Sequence, residues 1–350
     1  MPGSQLRIHQ STYRFMSSYK TALIGCGRRG QFNARAIRDN DRLELTALVD
    51  ANLAAADTLR GEHGSAATAV FADHREMLRA EVPDLCVICV WTGLHLEVFR
   101  DCAEAGVKAV FMEKPVAATW GECREIERIA DATGCRLSIS HQRRFHRGNE
   151  IAHRLFREGL FGEIIRMDLF SPKGLLDCGT HTIDQAFRFL DDRVGVKWVH
   201  GAVDMTAPAE AYGIPEAGMF SGTLAFENGI LANIYCNTPE PDQGTGIKVF
   251  GTKGFMEIAW TGAVGKFAIY DQPGYTPPGI VEEKDDILRL TYQDVLRSMA
   301  GEENQLHYKH GIRAAEVIFA LYESARAHRR VDLPLAGVEG HPLMEILANA

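Results

Sequence analysis

Residues 21–38 read TALIGCGRRGQFNARAIR, and this stretch decides the fold. Thr21 to Ile24 have the composition of a short buried strand, which runs directly into Gly25, Cys26, Gly27, Arg28, Arg29 and Gly30, and residues 31–38 have that of a helix. A GxGxxG between strand and helix is the setting in which the motif grips a dinucleotide. The first glycine permits the tight turn, the second lets backbone approach the pyrophosphate, and the third lets the helix pack closely on the strand. Amides at the helix N-terminus then face the phosphates. The pattern on its own is common, so its weight depends on the residues C-terminal to it.

Residues 43–49 alternate Leu43, Leu45 and Ala47 with Glu44 and Thr46, as a second strand does, and Asp50 closes it. A carboxylate there accepts hydrogen bonds from the adenosine ribose hydroxyls and repels a 2′-phosphate, which places NAD ahead of NADP. Ala51 and Asn52 offer no guanidinium to reverse that preference, whereas Arg28 and Arg29 are either phosphate contacts or solvated loop charges. The alternation continues with helix 53–62, strand 70–71, helix 75–80, strand 85–91, helix 94–105, strand 108–112, helix 122–133 and strand 136–140. Strands separated by such helices imply a doubly wound parallel α/β sheet, with ligands beyond the carboxyl ends of its strands. The residues expected there are Asp50, Thr92, His95, Glu113, Lys114, Pro115 and residues 141–144.

From about Phe145 the period changes to alternating strands. Phe220, Gly222, Leu224 and Phe226 lead into Asn228 and Gly229, a strong hairpin signal, and Ile230, Ala232, Ile234 and Cys236 return. A second hairpin is expected between 247–250 and 255–258, and an amphipathic helix over 314–326. The second half reads as an α+β domain with an open, mainly antiparallel sheet, and the long loops 238–246 and 273–279 are candidate pocket walls.

A chain of 350 residues suits two such domains rather than one core. Its net charge of −8, with both signs interspersed, does not suggest capture of nucleic acid. No apolar run approaches the length of a membrane span, and residues 1–20 lack the apolar stretch of a secretory signal, so a cytoplasmic location is expected. Those first residues read as a flexible extension, with Met16 as an alternative start to Met1. Eight scattered cysteines fit reduced thiols. Cys86 and Cys89 form a CxxC, but three residues apart on a strand they face opposite sides and cannot share a metal.

Three side chains outside the glycine turn could carry chemistry. Lys114 is either a surface lysine paired with Glu113 or an ammonium held against a substrate hydroxyl. Asp177 and His181 stand four apart on a probable helix, on a stripe that Asp184 and Arg188 extend, away from Ile183, Phe187 and Leu190. That stripe is either solvated or aimed into a cleft, and a metal pair would need further ligands that the sequence does not offer.

With these residues in order, the sequence from about Lys20 to Leu335 resembles the Gfo/Idh/MocA oxidoreductases, the family of glucose-fructose oxidoreductase and inositol dehydrogenase. The motifs are Gly25 to Gly30, Asp50, the turn from Thr92 to His95, the tripeptide Glu113, Lys114, Pro115, the pair Arg144, Phe145, and the DxxxH of Asp177 and His181. Gly251 to Gly254 and the closing Tyr322 to Ala325 belong to the same pattern. The resemblance implies an NAD-binding Rossmann domain over 21–144, a substrate-binding and oligomerisation domain over 145–335, and a tail over 336–350. It implies sugars, cyclitols or related polyols as substrates, and a homodimer or homotetramer joined through the open sheet. It places Lys114 on the reacting hydroxyl, makes His181 the proton acceptor, has Asp177 position substrate or His181, brings Glu113 to the nicotinamide ribose and Arg144 to the substrate, and suggests a cis bond before Pro115. Two departures stand out. Trp91 and Thr92 occupy the place where the family often has Thr and Pro, and Lys173 to Leu176 replace a glycine run, so that Lys173 is a candidate contact for an anionic or hydroxylated substrate group. Two rival activities share these residues: glycoside cleavage through transient oxidation with retained NAD, and a dinucleotide-dependent sensor without turnover.

Overall fold

The computed structural model describes residues 18–237, 245–277 and 286–348. Most of the expected N-terminal extension, most of the loop 238–246 and the end of the loop 273–279 lie outside the described residues.

The first sheet is built from β1 (Tyr19–Ile24), β2 (Leu43–Val49), β3 (Ala69–Phe71), β4 (Leu85–Ile88), β5 (Ala109–Met112) and β6 (Arg136–Ile139). All pairs are parallel and the order is β3-β2-β1-β4-β5-β6, so the sequence direction reverses between β1 and β4. That switch point opens a crevice at the carboxyl ends of the strands. Helices α1 (Arg28–Arg38), α2 (Leu53–His63), α3 (His74–Ala80), α4 (His95–Glu104) and α5 (Trp120–Thr133) make the crossovers. Helix α1 begins three residues earlier than its apolar pattern suggested, because the last half of the glycine motif is already helical. Strand β4 ends at Ile88, short of the apolar run to Trp91. Cys89 keeps a last ladder bond, its amide donating to the Ile24 carbonyl at 2.7 Å, and residues 89–91 turn toward the crevice. Cys86 and Cys89 are free thiols that pack against different cores, as their spacing requires.

The second half begins with α6 (Arg147–Arg157), β7 (Ile164–Ser171), α7 (Thr180–Phe189) and β8 (Val196–Asp204). A short hairpin follows, β9 (Ala209–Ala211) and β10 (Ile214–Glu216), then β11 (Met219–Phe226), β12 (Leu231–Cys236), β13 (Thr245–Gly251), β14 (Gly254–Ala259) and β15 (Val264–Ile269). The chain closes with α8 (Ile287–Met299), α9 (Tyr308–Ala327), β16 (Val331–Asp332) and α10 (Pro342–Ala348). Eight strands form one sheet in the order β15-β14-β13-β7-β12-β11-β8-β16, antiparallel except where β12 meets β7. Both hairpins read from the sequence are present, one turning at Asn228 and Gly229 and the other joining β13 to β14. One face of the sheet buries Met167, Leu169, Ile234, Val249 and Met256, while Phe170, Tyr235, Phe250 and Phe255 on the other are only half-buried.

Helices from the C-terminal part tie the two sheets together. Tyr292 of α8 packs edge-on against Phe111 of β5 and donates its hydroxyl to Asn33 of α1 at 2.9 Å. This helix therefore completes the core of the first sheet, which a boundary at residue 144 does not anticipate. Helix α9 is longer than the expected 314–326 and is buried along most of its length. Every residue of α7 is buried as well. The polar stripe of Asp184 and Arg188 is thus neither solvated nor part of an open cleft. The stripe is an internal charge network, and the energetic demand of burying it is met by pairing.

Candidate active site

The glycine turn has the geometry that its residue types require. Gly25 has φ +97°, and a Cβ there would stand 2.5 Å from the Cys89 carbonyl oxygen, so glycine is obligatory on both counts. A Cβ on Gly30 would lie 2.1 Å from the Gly25 oxygen, which is the close packing of helix on strand. A Cβ on Gly27 would meet nothing within 4 Å, because this backbone faces the crevice. The crevice is a cavity of about 660 Å³ whose lining includes Gly25, Gly27, Arg28, Asp50, Trp91 and Tyr212. Asp50 accepts the Cys26 amide at 2.7 Å and the Asn52 amide at 2.8 Å, which fixes its carboxylate at the end of β2. The Cys26 side chain is buried, so the residue takes part through its backbone. Arg29 is not free for a phosphate: its guanidinium donates to Glu113 at 2.9 and 2.5 Å. Arg28 remains on the crevice wall.

Lys114 is not a surface lysine paired with Glu113. The Lys114–Pro115 bond is cis, and the buried ammonium has three partners, matching its three protons. It donates to the Asp177 carbonyl oxygen at 2.6 Å, to Asp177 Oδ1 at 2.8 Å and to the Tyr212 hydroxyl at 3.1 Å. Burial would lower its pKa, but the Asp177 carboxylate, helped by Tyr212, raises it above the ordinary lysine value. Asp177 is correspondingly held below the ordinary carboxylate range, against the opposing effect of its own burial. Its Oδ2 also pairs with Lys173 at 3.1 Å, an i, i+4 contact that places this exposed lysine at the site.

Asp177 lies in a wide helical turn, Leu175–Gly179, that leads into α7, and there the Gly179 amide reaches back to the Gly174 carbonyl at 3.0 Å. The buried carboxylate of Glu216 accepts the Asp177 amide at 2.9 Å and the Tyr322 hydroxyl at 2.6 Å. A Cβ on Gly174 would stand 2.2 Å from Glu216 Oε2. This explains why a glycine is needed there even though the family's glycine run is absent.

His181 is 6% exposed, and its Nδ1 has no hydrogen-bond partner among the described residues. Its ring meets His141 edge-on at 5.5 Å and Trp260 at 6.3 Å. Burial pushes its pKa well below the usual imidazole value, and the charge of Lys114, followed by His141, Arg143 and Arg29, pushes the same way. Lys114 and Asp177 are brought into direct contact, while His181, four residues further on, lines a small cavity with Arg143 and Trp260.

Three expected contacts are turned elsewhere. Arg144 is 1% exposed and is consumed by carboxylates, with Nε and Nη2 on Asp184 at 2.8 and 2.6 Å and Nη1 on Asp192 at 2.8 Å. It is a buried structural cation, and Asp184 and Asp192, rather than a substrate, occupy its donors. Thr92 and His95 are also buried, and both ring nitrogens of His95 face backbone carbonyls, those of Val116 and Val90, at 3.2 Å. They shape the wall from behind. Trp91, 64% exposed, and Leu94 are the residues of that turn that line the crevice.

Sequence reasoning missed Tyr212 and Glu216 as members of the site, and gave His141 a place but no role. Tyr212 sits at φ +54° and Gly213 at φ +77°, the two central positions of a tight hairpin. The only local signal was a glycine between short runs. Glu216 carried no signal at all, because its partners come from 39 and 106 positions away. His141 stood among residues 141–144 at the end of β6, where ligands were expected, and its Nε2 pairs with the Thr180 hydroxyl at 2.8 Å.

Comparison with known proteins gives this geometry its context. Residues 19–141 match the family model described as "Oxidoreductase family, NAD-binding Rossmann fold", and residues 151–257 match the "GFO/IDH/MocA C-terminal domain". The chain belongs to the Gfo/Idh/MocA oxidoreductases. Inositol 2-dehydrogenase of Rhizobium meliloti is 30% identical over 73% of this chain and 80% of its own, and the rhizopine catabolism protein MocA of the same species is 25% identical over 69% and 78%. Two solved structures share the fold. They are the WlbA dehydrogenase of Bordetella pertussis, in complex with NADH and UDP-GlcNAcA (TM-score 0.76, 22% identity, 91% of this chain and 99% of that one), and myo-inositol 2-dehydrogenase of Lactobacillus plantarum (TM-score 0.72, 19%, 90% and 99%).

As a Gfo/Idh/MocA oxidoreductase the chain carries an NAD-binding Rossmann fold, and its own residues fit the dinucleotide. The open space over Gly27 admits a pyrophosphate, and the Asp50 carboxylate at the end of β2 suits a ribose diol and repels a 2′-phosphate. Among the described residues there is no helix long and apolar enough to cross a membrane and no cluster of side chains that could hold a metal ion.

Proposed function

We propose that the chain transfers hydride reversibly between NAD and a secondary hydroxyl of a sugar, cyclitol or related polyol, with residues 21–144 binding the dinucleotide and residues 145–335 the substrate. One observation carries this reading: Tyr212 lines the dinucleotide cavity and also bonds both Lys114 and Asp177, so the cofactor crevice and the buried ammonium meet at one point. Inositol dehydrogenases and a D-apiose dehydrogenase among the relatives support the substrate class.

NAD, when bound, supplies the hydride acceptor. The protein's part is to bind the alcohol and remove its proton. The Lys114 ammonium holds the hydroxyl oxygen and stabilises the alkoxide that develops there. Asp177 fixes that ammonium in place through two hydrogen bonds, to its carbonyl and its Oδ1. His181 takes the proton. Its lowered pKa keeps it neutral and ready to accept at physiological pH, and the same positive field that disfavours the imidazolium favours the alkoxide. A panel of aldoses, sugar acids and cyclitols, screened by thermal shift with NAD and then by NADH absorbance, tests the proposal. NADH formation with at least one polyol is expected, and binding without NADH formation across the panel overturns it.

A further inference from the structure

Lys114 has no proton left for a substrate. All three are directed at acceptors, and two of those, the carbonyl oxygen and Oδ1 of Asp177, belong to a buried turn whose amide is fastened to Glu216. The third acceptor, the Tyr212 hydroxyl at 3.1 Å, is the longest of the three contacts and comes from a different kind of element. Strands β9 and β10 have three residues each and pair only with each other, outside both large sheets. A two-stranded ribbon of that size has little stability of its own. Its base is fixed by buried Ile214 and Glu216, and its tip carries Tyr212 with φ +54°, a conformation that a bulky side chain adopts at a cost of about 1 kcal/mol or more. The tip also reaches the other half of the molecule, where a Cβ on Gly213 would touch the Trp91 indole at 3.4 Å.

The Tyr212 oxygen accepts from the Lys114 ammonium and donates to Asp177 Oδ1 at 2.9 Å. A secondary alcohol bound for oxidation at this ammonium would use the same pattern of one acceptor and one donor. We propose that Tyr212 is a positioning residue whose phenol holds the place of the reacting hydroxyl in the free enzyme and yields it to the substrate, the β9–β10 tip moving off Lys114 as the substrate enters. This rests on the proposed hydride transfer to or from a polyol. Until substrate arrives, the phenol keeps the buried ammonium fully hydrogen-bonded and Asp177 in register.

The test is Tyr212→Phe, which keeps the ring and deletes the competing oxygen. With a polyol that the parent enzyme turns over, KM is expected to fall about threefold to tenfold, the factor for one lost competing hydrogen bond, while kcat stays within about twofold and the NAD dissociation constant is unchanged. A tenfold loss of kcat would instead make the phenol part of the chemistry, and a rise in KM would make it a direct substrate contact. Either result overturns the placeholder. Hydrogen exchange of the NADH complex gives a readout without turnover. The β9–β10 amides should exchange faster in Tyr212→Phe than in the parent, and unchanged exchange also overturns the proposal. If the parent oxidises no polyol, the dehydrogenase reading fails separately, and the exchange result still decides the role of Tyr212.

Discussion

At the scale of single residues, the charge arrangement around Lys114 makes sharp demands. Lys114→Met removes the cation that holds the alcohol and leaves the Asp177 carboxylate with Lys173 and Tyr212 as its remaining side-chain partners. We expect kcat/KM to fall by about two to four orders of magnitude, the usual range for a positioned proton-transfer or oxyanion-stabilising group, with NAD affinity measured by fluorescence quenching held within a few-fold. A variant with near-parental turnover would remove Lys114 from the chemistry. His181 sets the pH dependence. Because its pKa is depressed, its neutral, proton-accepting form persists as pH falls through the ordinary imidazole range and is lost only below it. The acid limb of kcat/KM for alcohol oxidation should therefore lie clearly below pH 6.5, and a limb at or above that value would contradict the assignment. Asp50→Ala should shift the NAD-to-NADP preference toward NADP by about tenfold or more, as expected when a charged hydrogen-bond partner of the ribose is lost. These residues were visible in the sequence because each sits beside a turn or motif with its own local signature. Tyr212 and Glu216 were not, because their roles arise only when a hairpin folds back over a turn nearly forty residues before it.

At the scale of elements, the reading succeeded where a local pattern and its environment agree and failed where burial overrode polarity. The strand-turn-helix from β1 to α1 is explicit in its glycines, and Gly30→Ala should destabilise the protein by about 1–3 kcal/mol in urea unfolding, since the added carbon overlaps the Gly25 carbonyl oxygen. Helix α7 shows the opposite case. Its polar residues suggest a wet or cleft-facing stripe, yet the chain buries them by supplying Arg144 from β6's exit and Asp192 from the end of the helix. Arg144→Met leaves Asp184 and Asp192 without their main cation, and a loss of about 3–5 kcal/mol at neutral pH is expected. The sign of the pH effect is fixed by the lowered carboxylate pKa values. Their contribution is present above the ordinary aspartate range and fades as pH falls toward about 2, where Asp192 takes up its proton. The stability gap between parent and variant should thus narrow on acidification from pH 5 to the lowest pH at which both still fold, and a gap independent of pH would deny the network its electrostatic origin.

At the scale of the whole molecule, the two faces of the eight-stranded sheet are unequally covered among the described residues. One face is covered by α7 and α9, which supply the apolar layer that its inward residues need. The other presents the stacked pair Phe170 and Tyr235 and, four residues away along β7, Phe250 and Phe255 with Arg166 and Lys248 over their rings. These half-buried aromatics stand in two rows across β7, β12, β13 and β14, with Asn233, Asp168 and the ion pair of Lys248 and Glu257 in the row between them. A sheet face on which exposed rings alternate with paired charges suits a self-complementary contact, because two copies related by a twofold axis can bury the same rings and match opposite charges. We therefore propose a homodimer or homotetramer assembled through this face, in line with the sequence expectation. Sedimentation velocity at micromolar concentration should show more than one chain per particle. Tyr235→Asp, which places a charge in one of the aromatic rows but touches none of the buried core, should return the particle to a single chain while hydrogen exchange in the first sheet stays unchanged. A parent enzyme that sediments as a monomer would remove the assembly. A Tyr235→Asp variant that remains assembled would move the contact to another surface.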